Sequence, residues 1–200
     1  MKNDRYTRLI LDIENDFKDH IATVKLDQEG IYILRWQKPG TWINFVEYIL
    51  RGSTLFVWGD LGDAVYQWSS NISLSFLAGC NVDYFREKCQ ASEEGRGFKY
   101  WWHEDAEKYL EEMFKEDGEV DDDTRMVFIA HKNDILGACQ TRDGWHEWLR
   151  DYCNENIRDT LFGSDWWEYI PEIGIDAHPR CVMHLHGLKM AYRQLGAKNA

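Results

Sequence analysis

Between Ile31 and Trp68 apolar residues recur with a period of two, and beyond Ser70 the period lengthens to that of an α-helix. Ile31 to Trp36 alternates, Lys38-Pro39-Gly40 supplies a turn, and Trp42 to Leu50 alternates again. Arg51-Gly52-Ser53 turns the chain into Leu55 to Trp58, and Gly59-Asp60-Leu61-Gly62-Asp63 leads into Val65 to Trp68. Short alternating runs joined by Pro/Gly turns predict a four-stranded antiparallel meander. In the second run Ile43, Phe45 and Ile49 point one way, and Trp42, Val46, Tyr48 and Leu50 the other. A sheet with one wet face would carry polar residues there, so helices or a partner are expected to cover both sides.

The rest of the chain reads as helix. Residues 4 to 20 place Leu9, Ile10, Ile13 and Phe17 on one side at helical spacing. Asn81 is placed to cap a helix through Cys89, and a glycine-containing loop from Glu93 to Gly97 separates it from a helix over about residues 104 to 116. Another helix is expected over 122 to 138. Thr141 caps the next, where Trp145, Trp148, Leu149 and Tyr152 share a face. Residues 160 to 178 read as loop. His178-Pro179 then opens a final helix, on which Cys181, Leu185, Leu188, Tyr192 and Leu195 form a buried stripe. The expected fold is α+β: an N-terminal helix, the meander, then a helical C-terminal half packed on the sheet. A single domain is expected over residues 1 to 200, β-rich from 30 to 70 and helical from 80 to 200.

The net charge of −12 is concentrated. Residues 93 to 123 hold thirteen acids against four bases, which leaves −9 inside one short region. A phosphate backbone would be repelled there and a basic partner attracted, so direct nucleic-acid binding is not expected. The opening residues are too short in apolar run and too charged for a signal peptide, and no stretch approaches a membrane span. Cys80, Cys89, Cys139, Cys153 and Cys181 are odd in number and show no CxxC spacing. Reduced thiols, a cytoplasmic setting and no membrane partner are expected.

No constellation carries a reaction. His178, Cys181, His184 and His186 fall within nine residues, but on a regular helix His184 and His186 lie about 200° apart and cannot grip one ion. Trp101-Trp102-His103-Glu104-Asp105 sets a histidine beside two carboxylates, yet neighbouring residues at a helix start diverge, and acids there suit the helix dipole. Gly59 to Asp63 lacks the lysine and hydroxyl of a phosphate loop and reads as a tight strand connection. No metal and no cofactor is expected. The aromatic residues are the strongest signal, because tryptophan and tyrosine dominate binding hot spots. The expected partner-binding residues are Trp101, Trp102, Trp166 and Trp167 with the acids Glu107, Glu111, Glu112 and Glu116.

Lys38-Pro39-Gly40 with Phe45, Gly59-Asp60-Leu61-Gly62-Asp63, and His178-Pro179-Arg180 continued by His184 and Gly187-Leu188-Lys189-Met190-Ala191 together resemble a loose group of uncharacterised proteins encoded by phages and prophages. The resemblance covers about a third of the chain, and its motifs are short. It implies an accessory protein acting in the cytoplasm of an infected bacterium, of the kind that includes inhibitors of host defence such as anti-CRISPR proteins. The leading expectation is a non-enzymatic inhibitor or modulator that docks on a basic, nucleic-acid-handling host protein. An enzyme using His103, Glu104, His178 or His184 is the alternative. So is an assembly protein whose two apolar sheet faces make a homodimer or larger homo-oligomer.

The cysteine pattern is directly testable. Chain purified without reductant and shielded from air, then denatured, should titrate with thiol reagent at all five cysteines; two or more oxidised pairs would contradict the reading.

Overall fold

The computed structural model describes residues 3–93, 98–115 and 120–198. The single domain expected from the sequence is packed as two compact units, one formed by residues 1–99 with 177–200 and the other by residues 100–176.

The first unit is built on an antiparallel sheet of six strands in sequence order: β1 (Ile21–Gln28), β2 (Ile31–Gln37), β3 (Val46–Arg51), β4 (Thr54–Gly59), β5 (Ala64–Gln67) and β6 (Cys89–Ser92). The fold class is the α+β arrangement expected, with six strands in place of four. β1 escapes the period-two reading because a bulge between Val24 and Leu26 breaks its alternation, and most of its positions are exposed. β6 follows two helices and pairs with β5 over only a few residues. The expected strand from Trp42 to Leu50 is corrected to Val46–Arg51. Trp42 to Phe45 is instead a turn, closed by the Phe45 N–H donating to the Trp42 carbonyl at 3.3 Å, with Asn44 at φ 55°.

Helices cover one face of this sheet. They are α1 (Asn3–Phe17), α2 (Leu74–Gly79), α3 (Val82–Glu87) and α8 (Pro179–Lys198), and Ser73 and Asn81 cap α2 and α3 by accepting from Phe76 N and Tyr84 N. Leu34, Trp36, Val46, Tyr48, Leu50, Leu55, Val57 and Tyr66 form the sheet's half of the core, and Phe17, Leu77, Phe85, Cys181, Leu185, Leu188 and Ala191 the helices' half. α8 comes so close that a Cβ on Gly187 would lie 2.8 Å from Tyr48 Oη and 3.0 Å from Phe17. Of the expected stripe on α8, Tyr192 is the exception: it is 39% exposed. All five cysteines are buried, and burial drives the Cys139 and Cys181 thiols up to about 12.

His184 ties this core together. Its Nε2 lies 3.1 Å from the Leu61 carbonyl, which only accepts, so Nε2 carries the proton. Nδ1 is then free to accept from Tyr66 O–H at 3.1 Å, and the His184 carbonyl accepts from Tyr48 O–H at 2.8 Å. The neutral ring is fully used, as a buried polar group must be.

The second unit is helical: α4 (His103–Met113), α5 (Asp122–Ala138), α6 (Arg142–Glu147), a π-helical turn (Trp148–Tyr152), α7 (Glu155–Phe162) and two 3₁₀ turns (Trp166–Glu168 and Ile170–Glu172). Asp121, Thr141 and Asn154 cap α5, α6 and α7. Its core stacks Phe114 on Phe128 at 4.3 Å and Trp145 on Trp148 at 5.5 Å, with Trp145 Nε1 donating to the Ile170 carbonyl. The expected face of Trp145, Trp148, Leu149 and Tyr152 is corrected at its last member. The Cys153 N–H reaches back five residues to the Trp148 carbonyl at 2.7 Å, and this wider turn leaves Tyr152 73% exposed. The expected loop from 160 to 178 holds the end of α7, both 3₁₀ turns and β8 (Ile175–Ala177), which forms a separate two-stranded sheet with β7 (Lys99–Trp101). Among the described residues no helix is long and apolar enough to cross a membrane.

Burial lowers the His184 imidazole from 6.5 to about 4. The fold holds the neutral form, so as pH falls the unfolded chain takes up the proton first. The stability owed to this site is whole above about pH 6.5 and is lost by about pH 4, on the order of 3 kcal/mol. His20 and His186, also lowered by burial, add in the same direction. Urea midpoints should therefore fall between pH 7 and pH 4.5, and His184→Gln should flatten that dependence. An unchanged slope in the variant would place the acid sensitivity elsewhere.

Candidate functional site

The register of the sheet aligns one residue from every strand on the face opposite the helices: Leu26, Ile33, Ile49, Phe56, Val65 and Ala91, each the direct partner of the next. With strands ~4.8 Å apart, this apolar row runs about 24 Å across the sheet. Its members are half-buried or exposed; Phe56 is 41% exposed. The edges of the same sheet are blunted. β1 carries Lys25 beside its bulge, and its Ala22 N–H is taken by Gln194 Oε1 at 2.7 Å; β6 is four residues long. Strand addition is thus discouraged at both ends while the face stays apolar and open.

Beside the middle of this row, two residues along β2, β3 and β4, lies a cluster of aromatic rings around an ion pair. Arg35 donates from Nε and Nη2 to Glu47 Oε2 at 2.9 and 2.8 Å, and Trp58 Nε1 donates to Glu47 Oε1 at 3.0 Å. The guanidinium lies 5.2 Å from the Phe45 ring centroid and 6.0 Å from that of Trp42. Phe45 meets Trp42 and Trp58 edge to face at 5.0 and 5.2 Å. Glu47 is buried with both oxygens engaged, so the charges are spent internally and the rings are held in place. Trp42, Ile43 and Trp58 remain exposed at 64%, 69% and 41%.

Backbone around Gly59 sets this corner. Asp60 N donates to the Phe45 carbonyl at 2.9 Å, and Asp60 Oδ2 accepts from Asn44 N at 2.7 Å. Gly59 sits at φ 138°, and a Cβ there would lie 2.4 Å from the Phe45 oxygen. The Gly59 to Asp63 segment is thus a strand connection that carries the aromatic turn on one side and offers Leu61 O to His184 on the other.

The residues singled out from sequence lie in the second unit. Trp101 packs on that unit's core and donates from Nε1 to the Cys139 carbonyl at 2.8 Å, and Trp166 packs there beneath the Arg158 guanidinium at 4.6 Å. Trp102 is half-buried, edge-on to Tyr100 at 5.1 Å. Trp167 is 57% exposed. Glu107 accepts from Gln140, and Glu111 from Lys132 at 2.8 Å, which joins α4 to α5. Glu112 is half-buried, and Glu116 lies outside the described residues. Asp121 and Asp122 are spent on a helix cap and on Arg125.

The histidines are dispersed. His103 Nδ1 stands 3.4 Å from its neighbour Glu104, His178 Nδ1 accepts from Arg180 N, His184 is in the core, and His186 Nε2 lies 3.1 Å from Glu14 on α1. Among the described residues no group of three or more His, Cys, Asp or Glu is placed to hold a metal. The sequence pattern showed that both sheet faces are apolar, but it did not single out this face as the site, because its apolar row is assembled from one residue per strand.

Gly59→Ala should cost about 2–4 kcal/mol, since it forces both a disfavoured φ and a backbone clash. Urea denaturation checks this, and a loss below 1 kcal/mol would mean that the corner relaxes freely. The chain matches no protein-family model, no curated protein and no solved structure.

Proposed function

We propose that the chain is a protein-binding module and that it docks by the open face of its sheet, with Trp42, Ile43, Phe56 and Trp58 as anchors. The observation that carries the reading is the apolar row running through all six strands, flanked two residues along β2, β3 and β4 by an exposed aromatic cluster. Contiguous exposed apolar surface is costly to keep on a monomer and marks interaction sites. Trp58 and Trp42, already held against the Arg35–Glu47 pair, lose little side-chain freedom on binding. A partner with an apolar, concave surface suits such a face.

The narrower form of the proposal, an inhibitor docking on a basic host protein that handles nucleic acid, is supported by the resemblance to phage-encoded proteins and by the acidic stretch from 93 to 123. Glu107 and Glu111 also serve the α4–α5 pairing, which makes them part of the helical scaffold as well as of the negative field.

A photo-crosslinking amino acid placed at Phe56, in cells that naturally make the chain, should give a discrete crosslinked protein, and one placed at Tyr152 should not. Adding Ile49→Asp should abolish the product while shifting Tm by no more than a few degrees, as the side chain is half-buried on the open face. Equal crosslinking from both positions, or a product that survives Ile49→Asp, would sink the proposal.

A further inference from the structure

The helix-covered face of the sheet has one corner that the helices leave open. Along one inward-facing register row, Tyr66, Leu55 and Leu50 are buried, and the row continues through Tyr32, half-buried, to Asp27, exposed at the edge. Over this outer end lies a pocket of about 510 Å³. Leu50, Ile72 and Leu74 give it an apolar lining, and Tyr192 enters it from α8. That size is in the range of small-molecule sites.

Its polar groups share a character. Among the described residues Asp27 is the only lining residue that carries a charge, and no lysine, arginine or histidine lines the pocket. Ser73 and Ser75 are occupied with each other at 2.9 Å, and Ser73 also caps α2. The Asp27 carboxylate and the Tyr32 and Tyr192 hydroxyls have no hydrogen-bond or ion-pair partner among the described residues. Burial, and after it the nearby Asp27 charge, raises the Tyr32 phenol, as a negative potential in the pocket would.

We propose that this pocket binds a small organic cation, an alkyl- or arylammonium whose charge meets Asp27 and the rings of Tyr32 and Tyr192 while its apolar body rests on Leu50, Ile72 and Leu74. A carboxylate flanked by aromatic rings is the chemistry that recognises ammonium groups. An anion would meet an unpaired carboxylate with no base to offset it. The site is separate from the docking face, which lies on the opposite side of the sheet, so either assignment stands or falls without the other.

The test is a titration of the ¹⁵N-labelled full chain by NMR with three probes of similar size: benzyltrimethylammonium, benzyl alcohol and phenylacetate. The ammonium should give saturating shifts at Gly30, Tyr32, Gly52 and Ile72 in the millimolar range, and the other two should not saturate there. Asp27→Asn, an exposed change, should weaken ammonium binding roughly fivefold. Tyr192→Leu, on the exposed side of α8, provides the same comparison should the Asp27 variant alter the spectrum of the unliganded chain. Preference for phenylacetate, equal response to all three probes, shifts mapping outside the pocket, or affinity unchanged by both variants would overturn the assignment.

Discussion

α8 lies against the sheet at a distance that glycine makes easy. A Cβ at Gly187 would lie 2.8 Å from Tyr48 Oη, 3.0 Å from Phe17 and 3.2 Å from Trp36, so residues from a strand, the first helix and a second strand would all have to shift. That approach brings the α8 backbone within reach of the Tyr48 hydroxyl, which donates to the carbonyl of His184. It also drives the His184 ring through the core to the Leu61 carbonyl in the Gly59–Asp63 connection. The same segment, through Asp60, fixes Asn44 and Phe45 at the aromatic corner. One close contact thus aligns the last helix, the buried polar network and the turn that presents Trp42. Buried polar groups with every lone pair and proton used specify one arrangement more sharply than apolar packing alone, because any slip leaves a donor or acceptor stranded.

With α8 seated, the two faces of the sheet diverge in chemistry. On the covered side apolar residues are consumed by helices; on the other the members of the Leu26-to-Ala91 row are half-buried or exposed. At the aromatic cluster the charges of this face are arranged against each other. Arg35 and Glu47 neutralise one another, and Glu47's remaining oxygen is taken by Trp58, so the surface shown outward at that corner is ring rather than charge. In a chain of net charge −12 such a corner stands out electrostatically. The edges are treated oppositely, with a bulge, a lysine and a short strand, as expected where strand-to-strand aggregation must be avoided and face-to-face contact is tolerated.

Much of the fold was legible because local rules and tertiary structure agree. Asn81 and Thr141 cap the helices their side chains suit, and Cys181, Leu185 and Leu188 fall on the buried side of α8 as their spacing requires. The misses have identifiable causes. β1 is an edge strand, whose exposure and bulge erase the alternation on which a strand reading depends. Tyr152 leaves its expected face because a π-turn adds a residue to the helix, a change invisible to a count of 3.6. Trp42 and Ile43 alternate like strand residues yet lie in a turn, where Asn44 adopts a positive φ. The candidate site was less legible than the fold. Trp101 and Trp166 are the kind of residue that anchors partners, and here they are half-buried against the second unit's core, with Trp101's indole N–H meeting a backbone carbonyl.

That contrast shows what distinguishes an anchor from a core aromatic. Trp101, Trp145 and Trp58 all donate from Nε1, so a satisfied indole N–H does not separate them. The acceptor does. Trp101 and Trp145 donate to backbone carbonyls, which lock the ring into its own fold. Trp58 donates to a carboxylate that also holds Arg35, while its ring stays 41% exposed beside Phe45. Holding a ring from its polar end while leaving its face open lowers the entropy a partner must overcome without spending the apolar surface that partner would bury. Nothing in the core requires this of Trp58, since Val57 and Leu55 on the same strand already supply the inward packing. On the proposed docking face, that arrangement is one a partner would use.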